Sequence, residues 1–286
     1  MRRAVRNSVV AALSGLLAFG TSFVGGAQGK APSRVISLNL CTDQLLMLLA
    51  RPEQIAGLTV LSRDCASAML CDQARHFPVI RPDAEVLLAQ KPDLVLGGTF
   101  TTETALLAAR SVGARVETFA PVSSLAEIPE QIRRMAGLLS APERGEALIR
   151  AFGARLSRLS TSPGAGAPVA AIYTANGWLT GLDSLPDDVL RHAGFVNFTA
   201  THGDGYTQTL PMEVLIAGRP DLLIPDPSDS GVSLAGAMLN SPALRSAFSG
   251  PHRLVVPASR WLCGLPGTLD ALEALVKGRQ ALEASR

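Results

Sequence analysis

The chain lacks the motifs that announce catalysis. It contains no G-x-S-x-G elbow, no H-E-x-x-H helix and no G-x-x-x-x-G-K-[ST] loop, so the signatures of serine hydrolases, zinc proteases and P-loop nucleotide enzymes are missing. Its four histidines, at positions 76, 192, 202 and 252, have no metal-ligand spacing, and no metal site is expected. Its four cysteines include no C-x-x-C pair, which argues against thiol redox chemistry. Beyond residue 27 no apolar run is long enough to span a bilayer. Charged residues are sparse as well, 17% against 47% hydrophobic, a balance that opposes global disorder.

The formal charge of +2 has a local origin. Arg2, Arg3 and Arg6 precede an apolar stretch from Val9 to Val24, and Gly25-Gly26-Ala27 follows. That order reads as a cleaved signal peptide over residues 1–27. No lipidation cysteine follows it, since the first cysteine is Cys41. Removing those residues takes away three arginines and no acids, which leaves −1. Nothing then remains to attract a nucleic acid. The expected mature chain, about 259 residues, is soluble outside the cytoplasm and long enough for two modest domains.

What the chain does have is one phrase used twice. Residues 82–96 read PDAEVLLAQKPDLVL and residues 211–224 read PMEVLIAGRPDLLI. Each places a glutamate at the start of a short apolar helix, then a Pro-Asp turn, then a buried-strand run. The copies are about 130 residues apart, too far for a solenoid of short repeats. They predict two similar α/β lobes. The boundaries follow: an N-terminal lobe over 28–122, an interlobe helix over 123–160, and a C-terminal lobe over 161–286.

Within each lobe strand and helix patterns alternate, the mark of parallel-rich sheets flanked by helices. Strands are expected at Arg34–Leu38, Gln54–Val60, Leu94–Leu96 and Arg115–Phe119, then at Val169–Tyr173, Leu222–Ile224 and Arg253–Val256. Between the lobes, Leu125 to Leu159 carries helical spacing with a break near Ser140-Ala141-Pro142. It predicts one long helix, or two collinear helices, that stiffen the connection. A closing helix is expected over Leu269–Lys277.

The chain resembles the periplasmic substrate-binding proteins of importers for ferric siderophores, cobalamin and haem. Arg34-Val-Ile-Ser-Leu-Asn near the start and the two Glu-helix-Pro-Asp-strand units carry that resemblance, which spans Arg34 to about Val276. It implies a monomeric carrier that is not an enzyme and needs no cofactor, its metal chelate being cargo. The partner it implies is an inner-membrane ABC permease dimer with a cytoplasmic ATPase. It also implies that Glu85 and Glu213 dock on permease arginines. The residues alone allow a plainer role, because an acid in the first turn suits the free amides of any helix.

Ligands in such sheets bind beyond the carboxyl ends of the strands. The candidates there are Asn39, Cys41, Thr42, Arg63, Asp64, Thr99, Phe100 and Thr101 in the first lobe. In the second they are Tyr173, Asn176, Trp178, His202, Asp204, Tyr206, Asp226, Arg260 and Trp261. The two tryptophans offer stacking surfaces for a planar ligand, the two arginines bind anionic oxygens or sit in ion pairs, and His202 or Tyr206 offers an axial ligand to a haem iron.

A local disulfide between Cys65 and Cys71 suits an oxidising compartment, although three pairings are open. A bridge between Cys41 and Cys263, on predicted cleft loops of opposite lobes, would lock the cleft, which a binding protein that must release its cargo should avoid, so these two are expected to stay apart. Cobalamin is slightly favoured as cargo over a ferric siderophore or haem. The alternatives are a ligand-sensing module coupled to a receptor, and a small-molecule hydrolase built on His202, Asp204 and a nearby serine.

Overall fold

In both sheets the strand residues alternate between two apolar cores, and that alternation organises the molecule. The computed structural model describes residues 30–81, 83–203, 205–226 and 234–285, so the signal-peptide reading and Asp204 lie outside the described residues. Residues 31–286 form one unit of contacts that includes both lobes. No described helix is long and apolar enough to cross a membrane.

The first lobe contains β1 (Val35–Ser37), α1 (Leu40–Leu49), β2 (Ile55–Gly57), α2 (Cys71–Ala74), α3 (Ala84–Gln90), β3 (Leu94–Gly98), α4 (Glu103–Ser111) and β4 (Arg115–Phe119). Its sheet is wholly parallel, in the order β2-β1-β3-β4. The connection is α5 (Ile128–Leu138) and α6 (Pro142–Leu159). The second lobe has β5 (Val169–Tyr173), β6 (Trp178–Leu179), α7 (Leu185–His192), β7 (Val196–Asn197), β8 (Gln208–Thr209), α8 (Met212–Gly218), β9 (Leu222–Pro225), α9 (Leu234–Leu239), α10 (Pro242–Ala247) and α11 (Leu269–Ala284). Here β5 runs parallel to β7 and β9 and antiparallel to β6, which pairs in turn with β8. The expected last strand reduces to one bridge, Leu223 to Arg253. The antiparallel β6–β8 pair has no counterpart in the sequence reading.

Val35, Leu94 and Leu96 of the first sheet share a core with Ala170, Ile172, Leu222 and Ile224 of the second. Ile132 and Met135 of α5, Phe152 of α6 and Leu272 of α11 fill the same core. The alternate residues Ile36 and Val95 face outward to Leu87 of α3 and Ala105 of α4. Ala171 and Leu223 face Leu215 of α8 and Leu244 of α10. Period-two alternation therefore builds one central core and two outer ones.

The repeated phrase explains the register of both sheets. Its helix ends on a left-handed residue, Lys91 in one copy and Arg219 in the other. The aspartate of each Pro-Asp turn then grips the first strand of its lobe. Asp93 accepts from the amides of Ser33 at 2.6 Å and Arg34 at 3.0 Å. Asp221 accepts from the amide of Val169 at 2.8 Å. Strands β3 and β9 are thereby set beside β1 and β5 at corresponding points.

Helices α5 and α6 lie side by side and not end to end. Arg133 of α5 donates to Glu146 of α6 at 2.9 Å, a contact that collinear helices, about 20 Å apart at these positions, cannot make. Ser140 turns the chain with a φ of 54°, and Pro142 opens the new helix because its missing amide stops the old one. Gly145 lets the pair meet, since a Cβ there would stand 2.5 Å from that of Ala136. Helix α6, about 27 Å long at 18 residues, is the element that crosses. Arg144 near its start donates to the carbonyls of Leu49 and Ala50 in the first lobe. Arg155 pairs with Asp270 and Glu273 of α11, and Thr161, just past its end, donates to the His192 carbonyl at 2.8 Å.

Two disulfides complete the fold, Cys65–Cys71 and Cys41–Cys263. The second overturns the expectation that Cys41 and Cys263 stay apart. Their Cα atoms lie 5.2 Å apart across 222 residues of sequence. The chain between Val256 and α11 returns to the first lobe, where Gly264 lies against Val122 and Gly267 against Met69.

One buried carboxyl makes stability depend on pH. Asp43 of α1 is fully buried, and desolvation raises its pKa to about 7 against the opposing hydrogen bonds of Thr59. The native state therefore holds this proton where the unfolded chain releases it. Its stabilising contribution is complete below about pH 4 and is lost as pH rises through about 7, by on the order of 4 kcal/mol. Urea midpoints measured from pH 5 to pH 8 should fall for the native protein and flatten for Asp43→Asn.

Candidate functional site

Helices α3 and α8 each end at the amino edge of a strand, so each begins at the carboxyl edge of its sheet. Glu85 and Glu213 occupy the second position of those helices and both are exposed. The Tyr173 phenol registers this placement: burial pushes its pKa up, and the Glu213 carboxylate adds to the shift. The two glutamates thus stand on the same edges as the loops that follow the strands.

In the first lobe those loops are compact. Asn39 caps α1, accepting from the amide of Cys41 at 2.9 Å, and its side chain lies over Gly98, where a Cβ would stand 2.6 Å from Nδ2. Thr101 Oγ1 accepts from the Gly98 amide at 2.9 Å, and the Thr99 amide donates to the Phe119 carbonyl at 3.1 Å. The tight turn between them projects Phe100 into solvent with 87% of its surface exposed. Val60 and Leu61 are exposed after Thr59, which holds Asp43 at the first turn of α1.

In the second lobe the edge is a pair of linked turns. Asn176 and Gly177 take φ values of 59° and 75°, and the Tyr173 hydroxyl donates to the Leu210 carbonyl at 2.7 Å. The turn presents Trp178, 45% exposed. Gly181 lies against the backbone of Gly205 to Thr207, with no room for a side chain, and this neighbouring loop carries Tyr206, 76% exposed. Asp226 follows β9 and is half-buried. One aromatic on the first lobe and two on the second therefore stand clear of the cores.

Several residues nominated from sequence are engaged elsewhere. Thr42 and Tyr173 have no exposed surface, and Trp261 is 7% exposed within the central core. Trp261 is thus a plug and not a stacking platform. The Arg260 guanidinium pairs with Asp270 at 2.6 Å, in the network that also holds Arg155. Arg63 donates to the Phe77 carbonyl at 2.7 Å. Asp64 closes a local turn by accepting from the Ala66 amide and the Ser67 hydroxyl. The His202 ring is stacked on Phe198 with centroids 4.0 Å apart, and its Nδ1 lies 2.9 Å from the Thr201 hydroxyl. Cys41 is consumed by its disulfide. Among the described residues, the only group with metal-binding proximity is Cys65, Cys71 and Asp72, and its two sulfurs are bonded to each other.

Val60, Leu61 and Leu262 are further exposed apolar residues in short turns. Val60 is the expected end of the second strand, but β2 stops at Gly57 and Val60 opens the turn that follows.

The chain matches the family described as periplasmic binding protein over residues 35–246. It belongs to that family. Membership makes this binding protein periplasmic and non-catalytic. Solved structures agree on its fold. The periplasmic haem-binding protein RhuT from Roseiflexus sp. RS-1, in its apo form, is 24% identical with a TM-score of 0.68 over 87% of this chain and 99% of its own. A periplasmic haem-binding protein from Pseudomonas aeruginosa is 23% identical with a TM-score of 0.66, covering 85% and 92%. The periplasmic vitamin B12-binding protein BtuF of Vibrio cholerae is 17% identical with a TM-score of 0.66, covering 88% and 98%. No curated protein matches the binding protein by sequence. Its two α/β lobes are those of the class built around a crossing helix.

The two tryptophans should separate cleanly in experiment. Trp261→Ala opens the central core and should cost about 3–5 kcal/mol in chemical denaturation. Trp178→Ala should change stability by under about 0.5 kcal/mol, while removing the redder, more quenchable part of the emission.

Proposed function

We propose that this binding protein carries a metal chelate through the periplasm to an ABC importer. The observation that carries the reading is the set of exposed aromatics on the two lobe edges, Phe100 on one and Trp178 with Tyr206 on the other. Aromatic faces on both sides of a cleft suit a broad, planar ligand, which buries its faces while neutral polar groups such as Thr99 and Asn176 meet its rim. A corrinoid ranks first on this basis, ahead of haem and of an anionic ferric siderophore. Of the two cationic candidates Arg260 is paired with Asp270, and only Arg63, which donates to the neutral Phe77 carbonyl, keeps an uncompensated charge for an anionic cargo. For a haem, the exposed Tyr206 phenol or the His202 imidazole, stacked on Phe198, would supply the axial group.

Delivery follows from the repeated phrase. Glu85 and Glu213 present one carboxylate per lobe at matching helix starts, a pattern that fits a permease of two similar halves with arginines at corresponding points. The energy for release comes from an ATPase subunit, since this chain has no nucleotide motif. Lobe movement is small, because the shared core and α6 resist large rotation.

Tryptophan fluorescence of the mature protein, titrated with cyanocobalamin, haemin and ferric siderophores and corrected for their absorbance, tests the cargo. One chelate should quench to saturation at one-to-one stoichiometry, and its affinity, read by absorbance, should fall at least tenfold in Trp178→Ala. Silence across the whole panel would refute the chelate reading. Charge reversal in Glu85→Lys/Glu213→Lys should abolish uptake while leaving cargo affinity within about twofold. Normal uptake by that variant would remove these residues from docking.

A further inference from the structure

The Cys41–Cys263 bridge joins the lobes at the place where the chain passes between them. Cys41 lies in the first turn of α1, at the carboxyl edge of β1, an interior strand of the first sheet. Cys263 lies on the segment that leaves the second lobe after Val256, touches the first and returns through α11. The outward passage and this return meet directly, because Gly264 packs on Val122, which follows β4. Close by, the amide of Leu125 donates to Asp188 of α7 at 2.8 Å.

The position of a crosslink decides what it restrains. A bond at the mouth of a cleft acts on a long lever arm and blocks opening altogether. A bond beside the crossing segments acts on a lever arm near zero, so the lobes rotate about it but neither slide nor part. We propose that Cys41–Cys263 is the covalent pin of the hinge: it permits a bending motion of the lobes and suppresses shear and separation. The separation of the lobes is therefore preset by a covalent bond in addition to packing. Cys263 is buried, which shields the pin from exchange with external thiols.

The test needs no cargo, so it stands apart from the proposed function. Spin labels at Ser111→Cys and Ser246→Cys, exposed positions on α4 and α10, report the interlobe distance by pulsed dipolar spectroscopy. All four native cysteines are bridged, so only the introduced thiols take label. In the pinned protein one narrow distribution is expected. In Cys41→Ser/Cys263→Ser the distribution should broaden at least roughly twofold, while circular dichroism shows both lobes folded. An unchanged width in a folded variant would overturn the proposal and leave the bridge as a stabilising staple only. Should that variant not fold, hydrogen exchange of unlabelled Cys65→Ser/Cys71→Ser, which keeps Cys41–Cys263 as its one bridge, before and after phosphine reduction decides the matter. Faster exchange confined to residues 120–127 and 257–268 supports the pin, and uniform change or none refutes it.

Discussion

Burial of one face of each sheet against the same helices is the constraint from which the rest of this structure follows. Strands β1 and β3 and strands β5 and β9 send alternate residues into a single core with α5, α6 and α11. Neither lobe can expose that face without exposing apolar surface, at a cost of roughly 25 cal/mol per Å². The lobes are consequently separate sheets that share a centre. The exposed aromatics Phe100, Trp178 and Tyr206 lie off that core, on loops at the carboxyl ends of the strands.

The arrangement suits a carrier. A binder that must release its cargo cannot rely on a large, deeply closed cavity, and here the exposed aromatics stand on the sheet edges of lobes braced by a shared core. Its polar reinforcement lies at the back, where Arg155, Arg260 and Asp270 connect α6 to the return segment and α11. Surface ion pairs of this kind contribute modestly one by one, yet here they share partners and flank the crossing, where small displacements matter most. Phe100, Trp178 and Tyr206 stand exposed on the loops, and Glu85 and Glu213 at the starts of α3 and α8.

Duplication gives the molecule its symmetry. The Pro-Asp turn serves twice as a clamp on the first strand of a lobe, through Asp93 and Asp221, and the helix before it serves twice to cover the outer face. One local device thus fixes strand register and also carries an acid to the sheet edge. The lobes diverge where their sheets are finished, with β4 extending the first in parallel and β6–β8 adding an antiparallel ribbon to the second.

By itself the sequence determined two α/β lobes, a helical connection and the placement of Glu85 and Glu213. These rest on local rules: alternation along a strand, apolar spacing along a helix, a proline-aspartate turn. They operate within about 15 residues and so can be read from one segment. Only the tertiary structure decided which loop residues face solvent. Trp178 and Trp261 look alike in sequence, but one stands on a turn and the other plugs a core assembled from strands more than 100 residues apart. Tyr173 was reassigned for the same reason, since its hydroxyl reaches the Leu210 carbonyl, 37 residues on, whereas Thr42 and Arg260 bond to nearer residues, Ser37, Asn39 and Asp270. The pairing of Cys41 with Cys263 belongs to this group too, because it depends on where the chain returns after 222 residues. The fold-back of α5 on α6 turns at Ser140-Ala141-Pro142, a break that the sequence marks without giving its angle.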